Sequence, residues 1–394
     1  MNADWNRTED GYAGNSIVGD TRVRVLVSSY TDFDKLAHLP KGNEGQGIRC
    51  FTLDCEKKEL HDEGLVSTFA NPNPAFMRME NDRLYVVNER IDGNGVVSAF
   101  KVFPSGELKL LKQLDAAGKS TCYVHKDRLS NFCLIVNYWD ATVSVAKLDK
   151  DGSPVEITSV HRRPGFDYCN RHCPDRAEHL EHRQGWSHTH CVVPSPDDKF
   201  FFVPDLGEDK IHQFELNRDN GELHLVASIQ LEAGHGPRHF IFHSDGTVAY
   251  VVNELDSTVD VLKYDANANK NDCALSVVET VSTVAPGLKQ KSHCAEIKLR
   301  PDGRFLYVAN RFSDTIAIFA VDVDGDYKLA LVGIQSSLGC TPRHFSFYND
   351  LMIVANTDND SVVLFEVDHR TGLLEYTGKT YKVCSPNFVN VIAA

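Results

Sequence analysis

The chain has 394 residues, of which 55 are acidic and 41 basic, and its formal net charge is −14. It contains no run of lysines and arginines, so it lacks the positive surface that nucleic acids and anionic membranes require, and we expect neither as a partner. The first residues show neither the basic region nor the apolar core of a signal peptide, and no apolar stretch reaches the roughly 20 residues that span a bilayer. These features predict a cytoplasmic location, where the 11 scattered cysteines stay reduced.

A short apolar run that ends in a small polar residue recurs seven times along the chain. The runs are rich in β-branched and aromatic residues, which is typical of β-strands, and most of them end in asparagine. The copies are 25–29, 84–88, 133–137, 201–205, 249–253, 306–310 and 352–356. Their spacing of roughly fifty residues is the period of a four-stranded propeller blade. The pattern predicts an all-β, seven-bladed β-propeller.

The repeat around residue 300 shows the internal order of a blade. Residues 293–299 form a first strand, 300–303 carry the Arg-Pro-Asp-Gly chemistry of a tight turn, and 305–310 form the return strand. A third strand follows at 315–319, and an Asp-Gly turn leads to a fourth. No segment shows helical periodicity with caps at both ends, which supports an all-β fold.

The two ends of the chain each supply part of a blade. Residues 386–392 have the pattern of a first strand without a return strand, whereas 23–29 have the pattern of a return strand without a first strand. We expect these ends to pair, because this closes the ring and leaves no open sheet edge. The prediction is one domain over residues 1–394, in which 1–20 form a flexible segment and 161–185 form an insertion loop.

Two sets of equivalent positions meet at one mouth of a propeller's central channel. If the innermost strand of each blade lines the channel and the second strand runs antiparallel to it, the start of the first and the end of the second lie at the same mouth. The first set contains Ala75, His190, Arg238, Ala295, Arg343 and Asn387, and the second contains Glu89, Leu206, Glu254, Arg311 and Thr357. Unlike the scaffold positions, these positions differ between blades and gather charges that are costly to bury. This pattern predicts a polar site.

Each of these polar residues also has a purely structural interpretation. The arginines would then form ion pairs between blades, and Glu254 would cap neighbouring backbone. His188 lies two residues before His190, so both face the same side of an extended strand, and the alignment of the turns favours His190 as the channel residue. The recurring asparagines at the strand ends are interpreted as amides that brace loops.

Six linked motifs occur in order along the chain: His188-Thr189-His190, Pro204-Asp205-Leu206-Gly207, Gly236-Pro237-Arg238-His239, Asn253-Glu254-Leu255, Pro301-Asp302-Gly303-Arg304 and Asn310-Arg311. With these motifs the chain resembles the lactonase family of seven-bladed propellers, which includes bacterial 6-phosphogluconolactonase and fungal carboxy-cis,cis-muconate cyclase. The resemblance implies a catalytic set of one histidine, two arginines and one glutamate, here His190, Arg238, Arg311 and Glu254. The expected substrate-binding residues are Arg343, His239, Asp205, Glu89 and His188.

The resemblance also implies an activity, the hydrolysis of a small anionic sugar lactone, as by 6-phosphogluconolactonase, without a cofactor or metal. His190, alone or together with Glu254, is then the general base toward water, and Arg238 and Arg311 stabilise the oxyanion. Two alternatives stay open: a cyclase that closes a muconate ring with the same residues, and a propeller that only binds a partner. The cysteines and histidines of the 161–185 insertion match no common zinc spacing, so no metal is expected.

Overall fold

The computed structural model describes residues 22–67, 71–162, 183–269 and 271–392. Within these ranges the chain forms seven antiparallel sheets of four strands, arranged as blades around a channel. The predicted all-β, seven-bladed propeller is therefore confirmed. The segment 1–20, which was expected to be flexible, and most of the 161–185 insertion, with its cysteines, lie outside the described residues.

Six blades are built from consecutive strands, and the first blade joins both ends of the chain. The first blade contains β1 (Arg22–Ser29), β2 (Ile48–Asp54) and β3 (Glu59–Ser67). The next three contain β4 (Pro74–Glu80), β5 (Arg83–Asn88), β6 (Val96–Val102), β7 (Leu108–Asp115), β8 (Thr121–Lys126), β9 (Phe132–Asn137), β10 (Thr142–Leu148), β11 (Pro154–His161), β12 (Val193–Pro194), β13 (Phe201–Asp205), β14 (Lys210–Leu216) and β15 (Leu223–Gln230). The last three contain β16 (Pro237–Phe242), β17 (Val248–Asn253), β18 (Thr258–Tyr264), β19 (Leu275–Ser282), β20 (His293–Leu299), β21 (Phe305–Arg311), β22 (Thr315–Val321), β23 (Leu329–Ser336), β24 (Pro342–Tyr348), β25 (Leu351–Asn356), β26 (Ser361–Val367) and β27 (Leu374–Lys382). The final strand, β28 (Pro386–Ile392), is the innermost strand of the first blade.

Helices contribute little to the described structure. Two single-turn 3-10 helices, Phe33–Lys35 and Thr357–Asn359, lie in the loops that follow β1 and β25. No helix in the described ranges is long and apolar enough to cross a membrane.

The apolar runs that recur in the sequence are the second strands of the blades. Every residue of β9, β17 and β25 is buried. The outermost strands β19 and β27 instead leave about every second residue exposed. Each sheet of a propeller packs between two neighbours, so the inner strands bury both faces. This is why they form continuous apolar runs rather than alternating ones.

The ring closes where β28 pairs with β1. Their antiparallel register joins Val25 to Val391 and Val27 to Val389. β28 also packs against β24 and β4, which are the innermost strands of the two adjacent blades. The predicted pairing of the chain ends is thus confirmed, and it ties three blades together at once.

Several of the recurring asparagines tie a blade to the preceding one. The side-chain amide of Asn310 donates to the carbonyl of Thr283 at 2.9 Å, and that of Asn356 donates to the carbonyl of Ser337 at 3.3 Å. Both carbonyls directly follow the outermost strand of the preceding blade. The interpretation of these amides as loop braces is therefore confirmed.

Removal of β28 should destabilise the whole ring rather than a single blade. A chain that stops after Ser385 loses the pairing to β1 and the packing of the buried Phe388, Val389 and Val391. We expect the melting temperature, followed by circular dichroism, to fall by about 10 °C or more. The control Val278→Thr changes an exposed side chain of β19 and should leave it nearly unchanged. A truncated chain that melts with the full-length protein would contradict closure by the chain ends.

Candidate active site

A β-bulge at the start of several innermost strands turns one side chain toward the channel. The pairing of β16 with β17 skips Arg238, which lies between the paired residues Pro237 and His239. The pairing of β24 with β25 skips Arg343 in the same way. A bulged residue leaves the regular alternation of the strand, so its side chain is re-aimed. The side chains expected at the channel mouth are therefore placed there by a repeated backbone irregularity.

Glu254 directly follows β17, and its carboxylate binds three arginines. Oε2 lies 2.7 Å from Arg311 Nη2 and 3.1 Å from Arg238 Nε. Oε1 binds Arg183 Nη2 and lies 3.8 Å from His293 Nδ1. The structure thus brings together three of the four residues that the family resemblance marked as catalytic. We call this mouth of the channel, centred on Glu254, the funnel.

The carboxylate of Glu254 is almost completely shielded from water, since only 2% of the side chain is exposed. Burial alone would raise its pKa, but Arg183, Arg311 and Arg238 outweigh burial and hold the pKa of Glu254 well below its usual range. Glu254 is therefore an anion at neutral pH and only a weak proton acceptor. Its environment suits a counter-ion that orients the arginines.

Arg238 and Arg311 have a second anchor on the backbone of β20. Arg238 Nη1 donates to the carbonyl of Ala295 at 2.7 Å, and Arg311 Nη2 donates to that of Cys294 at 3.1 Å. The pairing of β20 with β21 is interrupted between Cys294 and Ile297, at the site of these carbonyls. Arg238 Nη2 and Arg311 Nη1 have no hydrogen-bond partner among the described residues. Each guanidinium is thus held from two sides and keeps a donor for a ligand.

His190 lies in the wall of the funnel, shortly before β12. Its ring meets the rings of Tyr138 and His239 edge-on, at centroid distances of 5.4 and 5.1 Å. Its Nδ1 is buried and has no hydrogen-bond partner within the described ranges. Burial, followed by the charge of Arg238, holds the pKa of His190 well below its usual range. The imidazole is therefore neutral at physiological pH.

His188 supports the same wall. Its ring stacks on Tyr138 at 4.4 Å with an interplanar angle of 8°, and its Nδ1 donates to the Tyr138 carbonyl at 2.9 Å. Burial lowers the pKa of His188 to about 4. Because its Nδ1 and one ring face are engaged, His188 holds Tyr138 in place beside His190.

The opposite wall of the funnel carries Arg343 and Glu89. The guanidinium of Arg343 lies 5.3 Å from the centroid of the Tyr30 ring, and His38 meets that ring edge-on, also at 5.3 Å. Glu89 accepts hydrogen bonds from the hydroxyls of Tyr30 at 3.3 Å and Ser120 at 2.7 Å. Arg343 forms no ion pair with any described carboxylate, so its charge is available to an anionic ligand.

Two of the expected substrate-binding residues are engaged elsewhere. Asp205 is fully buried, and its carboxylate accepts hydrogen bonds from the His188 backbone N–H at 2.8 Å and from the Ser187 hydroxyl. We therefore assign Asp205 to bracing the loop that carries His188. His239 lies deeper in the channel, where its Nδ1 is 3.2 Å from Glu296 Oε2.

Four funnel residues did not emerge from the sequence. Tyr30 and Tyr138 occupy the position after the return strand, as Glu254 does, so extending the repeat comparison to the first and third blades would have found them. His293 begins β20, one position before the interrupted pairing. Arg183 belongs to the insertion, which has no counterpart in the other repeats and therefore gives no signal.

The funnel is positive although the chain as a whole is acidic. Among the described residues its charged side chains are Arg183, Arg238, Arg311, Arg343, Lys291, Glu89 and Glu254, so five cations face two carboxylates. Because the pKa values of His190 and His188 are low, the two imidazoles add no positive charge at neutral pH. A positive cavity attracts small anions from solution. The site is thus suited to a ligand with one or more negative groups.

Glu254→Gln should lower the free energy of unfolding by about 3 to 5 kcal/mol, because three guanidiniums lose their shared counter-ion. The pKa of Glu254 is depressed in the folded state, so its stabilisation is complete above the unfolded value of about 4.3 and fades as the pH falls toward the folded value. Urea unfolding should show a smaller difference from wild type at about pH 3 than at about pH 7. The control Glu366→Gln removes a half-exposed partner of Lys58 and should change stability by less than about 1 kcal/mol. If Glu254→Gln lost the same free energy of unfolding at both pH values, Glu254 would not be an ionised counter-ion of the arginines.

Known proteins resemble the chain over nearly its whole length. Residues 24–391 match the family model described as lactonase, 7-bladed beta-propeller. A 6-phosphogluconolactonase of Bacillus subtilis is 33% identical over 344 residues, which cover 86% of this chain and 93% of the relative. A 6-phosphogluconolactonase of Formosa agariphila is 29% identical over 361 residues, which cover 89% of this chain and 94% of the relative. The structure of the periplasmic gluconolactonase of Pseudomonas aeruginosa superposes with a TM-score of 0.81 at 27% identity and covers 94% of this chain and 99% of that protein. The chain therefore belongs to the lactonase family of seven-bladed β-propellers.

Proposed function

We propose that this chain hydrolyses the lactone of an anionic sugar acid, and that 6-phosphogluconolactone is a substrate, as the names of two relatives suggest. The observation that carries the proposal is the fixed pair of Arg238 and Arg311. Glu254 and the carbonyls of β20 hold both guanidiniums and leave one donor of each without a partner among the described residues. Preorganised positive donors held side by side on one carboxylate are suited to the oxyanion of lactone hydrolysis.

The proposed reaction proceeds through a tetrahedral intermediate. A water oxygen adds to the lactone carbonyl carbon, and the carbonyl oxygen takes up negative charge facing Arg238 and Arg311. His190 accepts the proton that the water gives up. The bond between the carbonyl carbon and the ring oxygen then breaks, and the proton passes from His190 to that oxygen, which becomes a hydroxyl group. The product is the open hydroxy acid, and the balance requires no cofactor.

His190 suits the role of the base better than Glu254 does. Both oxygens of Glu254 bind guanidiniums, whereas Nδ1 of His190 has no partner in the described part of the chain. The low pKa of His190 makes it a weak base but keeps it unprotonated wherever the enzyme would work. Arg343 and Glu89, on the opposite wall, are left to bind the hydroxyl groups of the substrate.

The names of the relatives favour hydrolysis over the two alternatives. The Bacillus subtilis and Formosa agariphila proteins and the Pseudomonas aeruginosa structure are each named as lactonases. A muconate cyclase would use the same charges but no water. A non-catalytic platform would offer an apolar rim, whereas this funnel gathers charges. The Pseudomonas aeruginosa protein is described as periplasmic, and the cytoplasmic location of this chain stays a prediction.

Arg238→Ala and Arg311→Ala should each remove roughly 2 to 4 kcal/mol of transition-state stabilisation, which is a fall in kcat/KM of about 100-fold or more. Each variant leaves Glu254 paired with two other guanidiniums, so the fold should persist. The control Arg300→Ala breaks an ion pair with Asp350 at the far end of its blade and should leave kcat/KM unchanged. Full turnover by either funnel variant would reassign that arginine to ion pairing alone.

The rate of hydrolysis should be nearly constant from roughly pH 5.5 to 7.5, because the pKa of His190 lies well below its ordinary value of about 6.5. δ-Gluconolactone is the substrate for this measurement, since a phosphate ester itself titrates near pH 6. Spontaneous hydrolysis is subtracted at each pH, and His190→Asn should abolish the remaining rate. An inflection near pH 6.5 that depends on the enzyme would point instead to a base with an ordinary pKa.

Heavy-oxygen water separates hydrolysis from ring closure. δ-6-Phosphogluconolactone, δ-gluconolactone and a cis,cis-muconate are each incubated with the chain, and His190→Asn is the matched control. Hydrolysis places solvent oxygen in the carboxylate of the product, whereas ring closure of a muconate places none. Labelled sugar acid formed faster than in the control supports the proposal. Unlabelled lactone from the muconate, with no acceleration for the sugar lactones, would replace it by the cyclase.

A further inference from the structure

Two positive side chains on one side of the funnel have no role in the reaction described above. Arg183 is placed at the end of the insertion, and Lys291 lies in the loop between β19 and β20. Arg183 binds Glu254, and Lys291 lies over the ring of Phe312, the residue after Arg311. Both side chains have more access to solvent than the arginines deeper in the funnel. Neither belongs to the catalytic or substrate-binding residues predicted from the sequence.

Arg183 is the most open of the three arginines that bind Glu254. Its side chain is 32% exposed, compared with 4% for Arg238 and 10% for Arg311. Only Nη2 is engaged, by Glu254 and by the Tyr138 hydroxyl at 3.3 Å. Nε and Nη1 have no hydrogen-bond partner in the ranges that the structure describes. This edge of the guanidinium is available to a ligand.

Glu254 can release Arg183 without leaving a buried charge unpaired. If a ligand draws Arg183 away from Oε1, the carboxylate of Glu254 keeps Arg311 and Arg238 on Oε2. Leaving a buried carboxylate without any partner would be strongly unfavourable, and here that does not occur. A shift of Arg238 or Arg311, in contrast, would also break their hydrogen bonds to β20. Arg183 is therefore the arginine best placed to exchange partners.

Lys291 lies against a strained turn at Phe312. Its Nζ lies 4.8 Å from the centroid of the Phe312 ring. Phe312 has a φ of +70°, a conformation that bulky residues rarely adopt, and its carbonyl accepts a hydrogen bond from the Gln290 side chain. The Phe312 ring also meets the His293 ring edge-on at 5.3 Å, and His293 lies beside Oε1 of Glu254, the oxygen that binds Arg183. Burial and the charges of Arg183 and Arg311 lower the pKa of Lys291. Lys291 forms no ion pair with any described carboxylate.

We propose that Arg183 and Lys291 form a subsite for a phosphate group, which holds the anionic substituent of the substrate while Arg238 and Arg311 face the lactone carbonyl. A planar guanidinium edge beside an ammonium group offers several charged donors to phosphate oxygens. The identity of the lactone rests on the proposed function, but the preference of the subsite for phosphate can be measured without catalysis. Arg183, at the end of the insertion, then helps to set the class of substrate.

Calorimetric binding of 6-phosphogluconate and gluconate tests the subsite directly. The wild-type chain should prefer 6-phosphogluconate, and Arg183→Met and Lys291→Met should each lose about tenfold or more of that preference. Arg218→Met is the matched control, because Arg218 pairs with the buried Asp127 at the far end of the channel and is 26% exposed. It should lower stability but keep the preference. Lys291 is exposed, so its variant serves if Arg183→Met folds poorly.

The outcomes separate the subsite from the proposed function. Absence of any preference in the wild type, or an equal loss of affinity for both acids in the Arg183 and Lys291 variants, would overturn the subsite. Loss of the preference in Arg343→Met alone would place the phosphate on the opposite wall and would also overturn it. If the two variants lose the preference but the wild type hydrolyses neither lactone, the subsite stands and the proposed function fails. If the lactones are hydrolysed and both variants keep the preference, the function stands and the subsite fails.

Discussion

The funnel depends on one buried anion. The carboxylate of Glu254 is the shared partner of Arg183, Arg238 and Arg311, which would otherwise repel one another in a cavity with little water. Their charges keep its pKa low, and its charge in turn fixes their positions. Glu254 is therefore ionised because of the arginines, and the arginines can lie together because Glu254 is ionised. This interdependence is what allows a propeller with an acidic surface to present a stable positive site.

The scaffold creates this arrangement by repeating one backbone device and varying the side chain that it carries. The bulge that places Arg238 in β16 also places Arg343 in β24 and Asn387 in β28. A second buried carboxylate, Glu296, lies deeper in the channel, with Oε2 at 3.2 Å from His239 Nδ1 and 3.5 Å from His344 Nε2. Charged groups therefore continue below the funnel along the channel. The blades supply equivalent positions, and the differences among them supply the chemistry.

The sequence was most informative where the fold repeats. The second strands are buried on both faces, so their apolar runs revealed the blades, and equivalent positions pointed to His190, Arg238, Arg311 and Glu254. Arg183 could not be found in this way, because it enters from an insertion that has no counterpart in other blades. The pKa of His190 could not be predicted either, because burial and Arg238 lower it whereas Glu254 raises it. In the structure burial and Arg238 outweigh Glu254, so the pKa is low. Asp205 shares a motif with the site, yet its hydrogen bonds serve the loop around His188.

In the proposed function, a sugar acid binds in the funnel with its carboxyl end at the two arginines fixed by Glu254. A crystal structure of the chain with 6-phosphogluconate tests this most directly, because the product keeps the atoms of the former lactone carbonyl. The product carboxylate should contact Arg238 and Arg311 within hydrogen-bond distance and lie beside His190. A product bound outside the funnel, or with its carboxylate away from both arginines, would show that these arginines do not hold the reacting carbonyl.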